Sequence, residues 1–331
     1  MTADATTHTT PLRLEWLANP QRRPAALRLH VGAQTPEAWA ELFADPALRE
    51  LCAALPCHLA TDGDGALDDT TLALAAEAGL TVLPDAQLQH APMEFPAQVG
   101  HDHWVVGAWY QQPPAKAAAA QAASRARALQ LVQLVSADAD THEIEAVLRQ
   151  DVTLSYHLLR VVNSVALGGR REITSFAQAI LLLGRQQLRR WLHLMLFAAR
   201  DDDPRSAMLG AHVTLRARSM ELLAEACGLD RAAQELAFMG GMFSLLGTLF
   251  GQPLPQVLAS LTLPDALRSA LLEREGVLGQ QLSVVEASEA PGDAPALNAH
   301  LAHLGLPVAS FNRLRLQAAV WALQMTQAPA A

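Results

Sequence analysis

The first third of the chain alternates between short apolar runs and amphipathic stretches. Residues 27–31 alternate apolar and polar positions, and residues 80–83 and 104–106 are short runs of β-favouring residues. Between these runs, residues 36–43 and 69–78 have the apolar spacing of helices. Strands that alternate with helices predict a small α/β unit.

From residue 125 onward, the apolar positions recur only with the period of a helix. A long helix is predicted over residues 206–226, and Asp230 is positioned to cap the next helix, which is predicted to run to Phe250. Prolines separate shorter helices after that, and the last helix is predicted over residues 308–326. Further helices are predicted at residues 144–148, 154–162, 176–183 and 185–200.

A segment rich in proline and alanine separates the two patterns. Pro113 and Pro114 are followed by a run of alanines, which is typical of a linker that leads into a helix. We therefore divide the chain into an α/β region at residues 1–112, a linker at 113–124 and a helical domain at 125–331. The predicted fold class is mainly α, with a multi-helix bundle preceded by a small α/β domain.

Composition narrows the class of protein. The 331 residues are 51% hydrophobic and 17% charged, so the chain can bury a large core. The net charge of -9 and the pI of about 5.7 argue against broad nucleic-acid binding, which needs clustered basic residues. We expect no nucleic-acid partner.

The cysteines and the apolar segments predict the compartment. Cys52, Cys57 and Cys227 are odd in number and form no CxxC pair, which favours a reducing compartment. The polar N-terminus lacks the pattern of a signal peptide, and the longest apolar window, residues 238–250, is too short to span a bilayer. We expect a cytoplasmic chain without membrane contact.

Three runs between residues 151 and 199 carry a family resemblance. They are an acidic start followed by SYHLLRVVNS, the run REITS that enters a helix ending in LLLG, and the helix that contains LRRWL. In order and spacing they resemble the HDOD domain, a helical signalling domain related to the HD phosphohydrolases. The resemblance covers residues 125–326 and implies an HDOD-type multi-helix bundle.

The metal ligands of HD phosphohydrolases are missing from the matching run. That superfamily holds its metal ions with a histidine, an adjacent His-Asp pair and a further aspartate. In the run Gly240–Thr248, Ser244 and Leu245 stand where the His-Asp pair would be, and a leucine cannot ligate a metal. His212 lies on the long preceding helix, where a first ligand would be sought, but a lone histidine there is interpreted as an interior or surface residue. The resemblance therefore implies no catalytic residue, no metal ligand and no cofactor, and we predict that the chain is not an enzyme.

A second resemblance concerns residues 1–112. The run Val105–Pro113 resembles the closing run of the EAL domain, a cyclic di-GMP phosphodiesterase module, and an EAL-like part followed by an HDOD domain is a known architecture. The region is too short for a full EAL barrel and lacks the Glu-Ala-Leu triplet. The run Leu83–Gln87 matches the position of the family's late catalytic stretch, but it contains no Glu or Lys. The resemblance implies a truncated, degenerate EAL-like region.

Arginines concentrate in one part of this acidic chain. They are Arg170, Arg171, Arg185, Arg189 and Arg190. Arg185 and Arg189 are four residues apart and so lie on one face of the predicted helix. One interpretation is a solvated face with salt bridges to nearby acids. The other is a docking surface for an acidic partner, a phosphate group or a nucleotide.

These observations lead to one hypothesis and two alternatives. The hypothesis is a non-catalytic regulator of bacterial signal transduction that acts as a scaffold for signalling proteins, in processes such as cyclic di-GMP, motility or stress signalling. The first alternative is a cyclic di-GMP sensor without turnover, and the second is a residual metal-dependent phosphohydrolase.

Overall fold

A computed structural model of the chain describes residues 10–32, 35–61, 67–113, 129–131, 133–134, 137, 139–148, 203–259, 261, 263–290 and 294–326. The strands lie between residues 13 and 106, together with three helices. The described residues from 141 onward form helices. Most of the predicted linker and the helices predicted at 154–162, 176–183 and 185–200 lie outside the described residues.

One six-stranded sheet organises the N-terminal region, with the strand order β4-β3-β2-β1-β6-β5. Strand β1 pairs antiparallel with β2 and β6, and every other neighbouring pair is parallel, so β1 runs against all the other strands. The strands are β1 Arg13–Ala18, β2 Pro24–Val31, β3 Cys57–Thr61, β4 Leu80–Val82, β5 Leu88–His90 and β6 Trp104–Val106.

Three helices cover this sheet region, and each begins after a side chain that caps it. Thr35, Asp45 and Asp68 each accept a hydrogen bond from a backbone N–H of the first turn, which satisfies a donor that the helix itself leaves unpaired. The helices are α1 Pro36–Ala44, α2 Pro46–Ala54 and α3 Asp69–Glu77.

The helical part is arranged around one long central helix, α5 (Ser206–Ala226). Most of its side chains are buried, because other helices, the central strands β1 and β2, and the short helical turn after β6 pack on it. The described helices of this part are α4 Thr141–Leu148, α5, α6 Arg231–Phe243, α7 Leu246–Phe250, α8 Leu254–Ala259, α9 Asp265–Glu273, α10 Gly276–Ala287, α11 Ala294–His303 and α12 Val308–Thr326. None of the described helices is long and apolar enough to cross a membrane.

One hydrophobic core joins the sheet to the helices. It contains Leu14 and Trp16 of β1 together with Leu209 of α5 and Phe311 of α12. A buried amide fixes the same junction, because Asn312 Oδ1 accepts from the backbone N–H of Leu12 at 2.7 Å and Nδ2 donates to the carbonyl of Thr10 at 3.0 Å. The sheet region and the helical part therefore share their interior.

The predicted fold class of mainly α is wrong. The N-terminal region is a six-stranded mixed sheet, which is larger than the pattern predicted, and β1, β3, β5 and α2 were not predicted. Strand β3 carries polar residues at His58 and Thr61, and it becomes a strand because it pairs with parallel neighbours on both sides. Backbone hydrogen bonds to β2 and β4 stabilise this strand, although its side-chain pattern does not predict one.

The long helices of the second half are confirmed, with one break. Asp230 caps α6 by accepting from the backbone N–H of Ala233 at 2.8 Å. The predicted helix to Phe250 is interrupted, because α6 ends at Phe243 and α7 begins at Leu246. The interruption falls at Ser244 and Leu245, the two residues that sequence comparison placed at the metal-ligand positions.

Two adjacent glycines of α6 provide a matched test of how closely α6 packs on α5. A Cβ on Gly241 would lie 2.6 Å from the Cα of Ala217, which is backbone and cannot move aside, whereas a Cβ on Gly240 would lie 3.5 Å from a side-chain methyl of Leu267. We expect Gly241→Ala to lower the free energy of unfolding by about 1–3 kcal/mol through overpacking.

Gly240→Ala is the control, and it should be neutral or stabilise by up to about 1 kcal/mol through helix propensity. Urea unfolding followed by circular dichroism measures both values. Equal effects of the two substitutions would contradict the close approach of α5 and α6 at Gly241.

Candidate functional site

A buried arginine on the central helix forms hydrogen bonds and salt bridges with several polar side chains of the helical part. Arg216 lies in the middle of α5 and is 6% exposed. Its Nε donates to both carboxylate oxygens of Glu289, at 3.1 and 3.0 Å, and one terminal nitrogen donates to the same carboxylate. The other terminal nitrogen donates to Ser244 Oγ at 2.8 Å. We call Arg216, Glu289, Ser244, His212 and Glu286 the Arg216 cluster.

Ser244 and Leu245 have different roles at the break between α6 and α7. Ser244 Oγ accepts from Arg216 and donates to the carbonyl of Gly241 at 2.8 Å, so both its donor and its acceptor are used. Leu245 is 4% exposed and belongs to the hydrophobic core. The two positions therefore hold a hydrogen-bonded hydroxyl and a packed aliphatic side chain.

His212 connects the cluster to the sheet region. It lies one turn before Arg216 on α5 and is 6% exposed. Its Nε2 lies 3.3 Å from Glu289 Oε2, and its Nδ1 lies 3.4 Å from the hydroxyl of Tyr110. Tyr110 belongs to the short helical turn that follows β6, so the cluster touches the end of the N-terminal region.

Arg216 and Glu289 hold each other in their ionised forms. Burial by itself would raise the pKa of the Glu289 carboxyl, but the charges of Arg216 and His212 and their hydrogen bonds outweigh burial and hold that pKa well below its usual range. Burial likewise opposes the charged form of Arg216, and Glu289 reverses this and raises the pKa of the guanidinium. The pair is therefore a buried, ionised salt bridge.

A second salt bridge continues the cluster toward the surface. Glu286 accepts from Arg216 at 3.4 Å and from Arg274 at 2.9 and 3.0 Å. Arg274 adopts a left-handed backbone conformation with φ of 60°, just after α9 ends. The guanidinium and carboxylate groups thus alternate in sign from the buried pair outward.

The donors at this centre do not fit a divalent metal ion. A metal held by His212 and the Ser244–Leu245 positions would meet the guanidinium of Arg216, which lies 2.8 Å from Ser244 Oγ and already carries a positive charge. Leu245 offers no donor atom. Over the described ranges, no group of three or more His, Cys, Asp and Glu side chains could hold a metal ion. An arginine therefore supplies the positive charge that a metal would supply in a hydrolase.

Sequence reasoning reached only part of this site. It singled out Ser244 and His212, which both contact Arg216, and Leu245, which packs in the hydrophobic core, but it missed Arg216 and Glu289. A signal was available for Arg216, because it is a charged residue four positions after His212 on a helix that is otherwise mostly apolar. Glu289 follows the end of α10 and is brought to the cluster only by folding.

The predicted contact arginines lie outside the described residues. They are Arg170, Arg171, Arg185, Arg189 and Arg190. Their role as a partner surface stays a prediction, and so does the alternative that they form a solvated face.

Comparison with known families assigns the segment that contains this centre. Residues 123–270 match the HDOD domain. The chain contains an HDOD domain. Arg216, His212 and Ser244 fall inside the matched HDOD segment, whereas Arg274 and Glu289 follow it. The predicted HDOD assignment is confirmed, but the degenerate EAL-like region before it is not shown by the comparisons.

Two curated proteins are similar to the chain. The cyclic di-GMP phosphodiesterase CdgJ of Vibrio cholerae is 31% identical over 184 residues, which are 56% of this chain and 42% of CdgJ. The uncharacterised protein YuxH of Bacillus subtilis is 31% identical over 147 residues, which are 43% of this chain and 35% of YuxH. Each alignment spans less than half of the relative's length.

Among solved structures, a Shewanella amazonensis protein assigned provisionally as a phosphohydrolase is 15% identical, with a TM-score of 0.44, and the match covers 61% of this chain and 93% of that protein.

The prediction that the chain is not an enzyme is contradicted by these relatives. The HDOD-containing chain is similar to a protein named as a cyclic di-GMP phosphodiesterase. Sequence reasoning excluded activity because the HD ligand positions and the catalytic groups of the EAL-like region are both missing, and a relative named as a phosphodiesterase shows that this exclusion was too broad.

The buried salt bridge predicts a large effect of one neutral substitution. Glu289→Gln keeps the shape of the side chain but leaves the Arg216 guanidinium buried without its countercharge, so we expect the free energy of unfolding to fall by roughly 3–5 kcal/mol. Glu41→Gln is the control, because Glu41 is exposed and makes only a surface pair with Arg313. The control should change stability by less than about 1 kcal/mol. Chemical denaturation measures both, and similar values would contradict the buried pair.

The depressed pKa of Glu289 predicts a pH dependence. Because the folded-state pKa lies below the ordinary value of 4.5, the stabilisation from this carboxylate is fully present above that value and is lost as the pH falls below it. Urea midpoints measured at decreasing acidic pH should therefore fall more steeply for the wild type than for Glu289→Gln. Parallel pH profiles of the two proteins would contradict an ionised Glu289.

Proposed function

We propose that the chain is a regulator in cyclic di-GMP-linked signal transduction and that its HDOD domain works as a scaffold that binds a signalling protein. The HDOD domain and the similarity to CdgJ support the signalling role. The Arg216 cluster supports the binding role of the helical part, and the proposal depends on this observation.

The charge and the hydrogen bonds of Arg216 bear on whether this centre could hydrolyse a phosphodiester. Phosphodiester hydrolysis on the HD frame uses metal ions that activate water and neutralise developing charge. Here the positive charge is a guanidinium whose donors are already directed to Glu289, Ser244 and Glu286. A fully paired guanidinium has no open position for water or phosphate. Any hydrolysis like that named for CdgJ would have to use groups other than Arg216 and Ser244.

The same contacts support a role for the N-terminal region. We infer that residues 1–112 are a truncated EAL-like region, because the run that resembles the EAL closing segment forms β6 and the turn after it and then meets α5. Tyr110 in that run is buried against His212, with ring centroids 5.6 Å apart. Burial raises the pKa of the Tyr110 phenol, so this hydroxyl stays protonated where it lies 3.4 Å from His212 Nδ1. The N-terminal region thus touches the Arg216 cluster through Tyr110.

The partner surface is proposed at the basic group in the middle of the matched HDOD segment. Arg189 and Arg190 belong to that group in an otherwise acidic chain. Guanidinium groups recognise carboxylates and phosphates through paired hydrogen bonds, so an acidic protein surface is the matching partner chemistry.

Charge reversal tests this surface. The tagged full chain should be captured from its native cells grown at low and high cyclic di-GMP, and bound proteins should be quantified by mass spectrometry. We expect the double variant Arg189→Glu with Arg190→Glu to recover at least about tenfold less of a specific partner, which corresponds to 1.4 kcal/mol or more of lost affinity.

The control is Arg231→Glu, which reverses an arginine whose side chain is 57% exposed on α6. Equal recovery with wild type and the double variant would contradict the proposed surface.

A parallel assay with purified chain, cyclic di-GMP and Mg²⁺ or Mn²⁺ tests the alternatives. Turnover would replace the scaffold role by the hydrolase alternative, and binding without turnover, measured by calorimetry, would favour the sensor.

A further inference from the structure

A second buried arginine lies near the Arg216 cluster, and no carboxylate of the described residues pairs with it. Arg315 on α12 is 0% exposed and is the largest fully buried side chain. One terminal nitrogen donates to Ser219 Oγ on α5 at 2.8 Å. Its Nε and its other terminal nitrogen have no hydrogen-bond partner among the described residues. These two nitrogens form the side of a guanidinium that usually binds an anion through parallel hydrogen bonds.

The nearby charges do not balance Arg315. Glu289 and Arg216 are the charged groups that act on it, and they are already paired with each other. Burial lowers the pKa of Arg315 to about 10, so the guanidinium remains charged at neutral pH. Ser219 cannot compensate this charge, because it is a neutral acceptor whose own hydroxyl donates to the carbonyl of Leu215.

A buried, uncompensated charge is strongly unfavourable unless an ion of opposite sign accompanies it. A water molecule would satisfy hydrogen bonds but would leave the charge unbalanced. The full burial of the side chain restricts any occupant to a small ion, and the apolar core to which α5 and α12 contribute Leu215 and Phe311 disfavours a strongly hydrated dianion.

We propose that Arg315 forms a buried binding site for a small monovalent inorganic anion of the chloride or bromide class, held by Nε and the adjacent terminal nitrogen. The anion would balance the charge between α5 and α12 and would stabilise their packing. This inference is independent of the proposed signalling role, because it concerns the interior of the helical part and not its surface.

Anion-dependent stability tests the site. The full chain is transferred into sodium gluconate and titrated with sodium chloride or bromide at constant ionic strength. We expect the Tm to rise by roughly 5 °C when the anion exceeds its Kd about 100-fold, and sulfate should have no comparable effect. Arg315→Met should lose the response, and in gluconate it should be no less stable than the wild type, because the unpaired charge is gone.

Arg313→Met is the matched control. Arg313 lies two residues earlier on α12, with its side chain 56% exposed and paired with Glu41 and Asp45, so this variant should keep the chloride response. Crystals of the wild type grown in bromide give a second measurement that does not depend on the variant folding. An anomalous peak within hydrogen-bond distance of Arg315 Nε supports the site. A flat Tm titration, a water at this position, or an equal loss of response in Arg313→Met would overturn it.

Discussion

The interior of the helical part depends on how the guanidinium of Arg216 is neutralised. A charge this deeply buried is tolerated only with a countercharge and hydrogen bonds for its remaining donors. Glu289 supplies the countercharge, and Ser244 and Glu286 accept from the other donors. These partners come from the end of α6 and from the end of α10 and the residues just after it, so the positions of both helices relative to α5 follow from one side chain.

The close packing of α5 supports the same arrangement. Gly241 lets the backbone of α6 approach Ala217, and Ser244 lies one turn further along, within reach of Arg216. The break between α6 and α7 turns the Ser244 hydroxyl toward α5, while Leu245 enters the hydrophobic core. Ser244 and Leu245, the two positions that the sequence analysis matched to metal ligands, thus take part in charge pairing and core packing.

The sheet region shares the hydrophobic core of the helical part. Trp16 and Leu14 of β1 belong to the same core as the helices, and Asn312 of α12 binds the backbone just before β1. Tyr110, at the end of the region, reaches His212. A chain with two sequence patterns therefore folds around one shared interior, and the sheet region touches the Arg216 cluster directly through Tyr110.

Elements with strong local signals could be predicted from the amino-acid sequence. The periodic apolar positions of α5 and α12 and the cap at Asp230 predicted these helices, because helix formation depends on neighbours within a few residues, and the HDOD runs predicted the domain. The remaining features depend on contacts between residues far apart in the chain. Strand β3 is a strand because β2 and β4 lie beside it, and Glu289 is a site residue because folding brings it to Arg216, which is 73 positions away in the chain. A pairing over that distance leaves no local pattern, because its energy comes from charge and burial that exist only after the chain has folded.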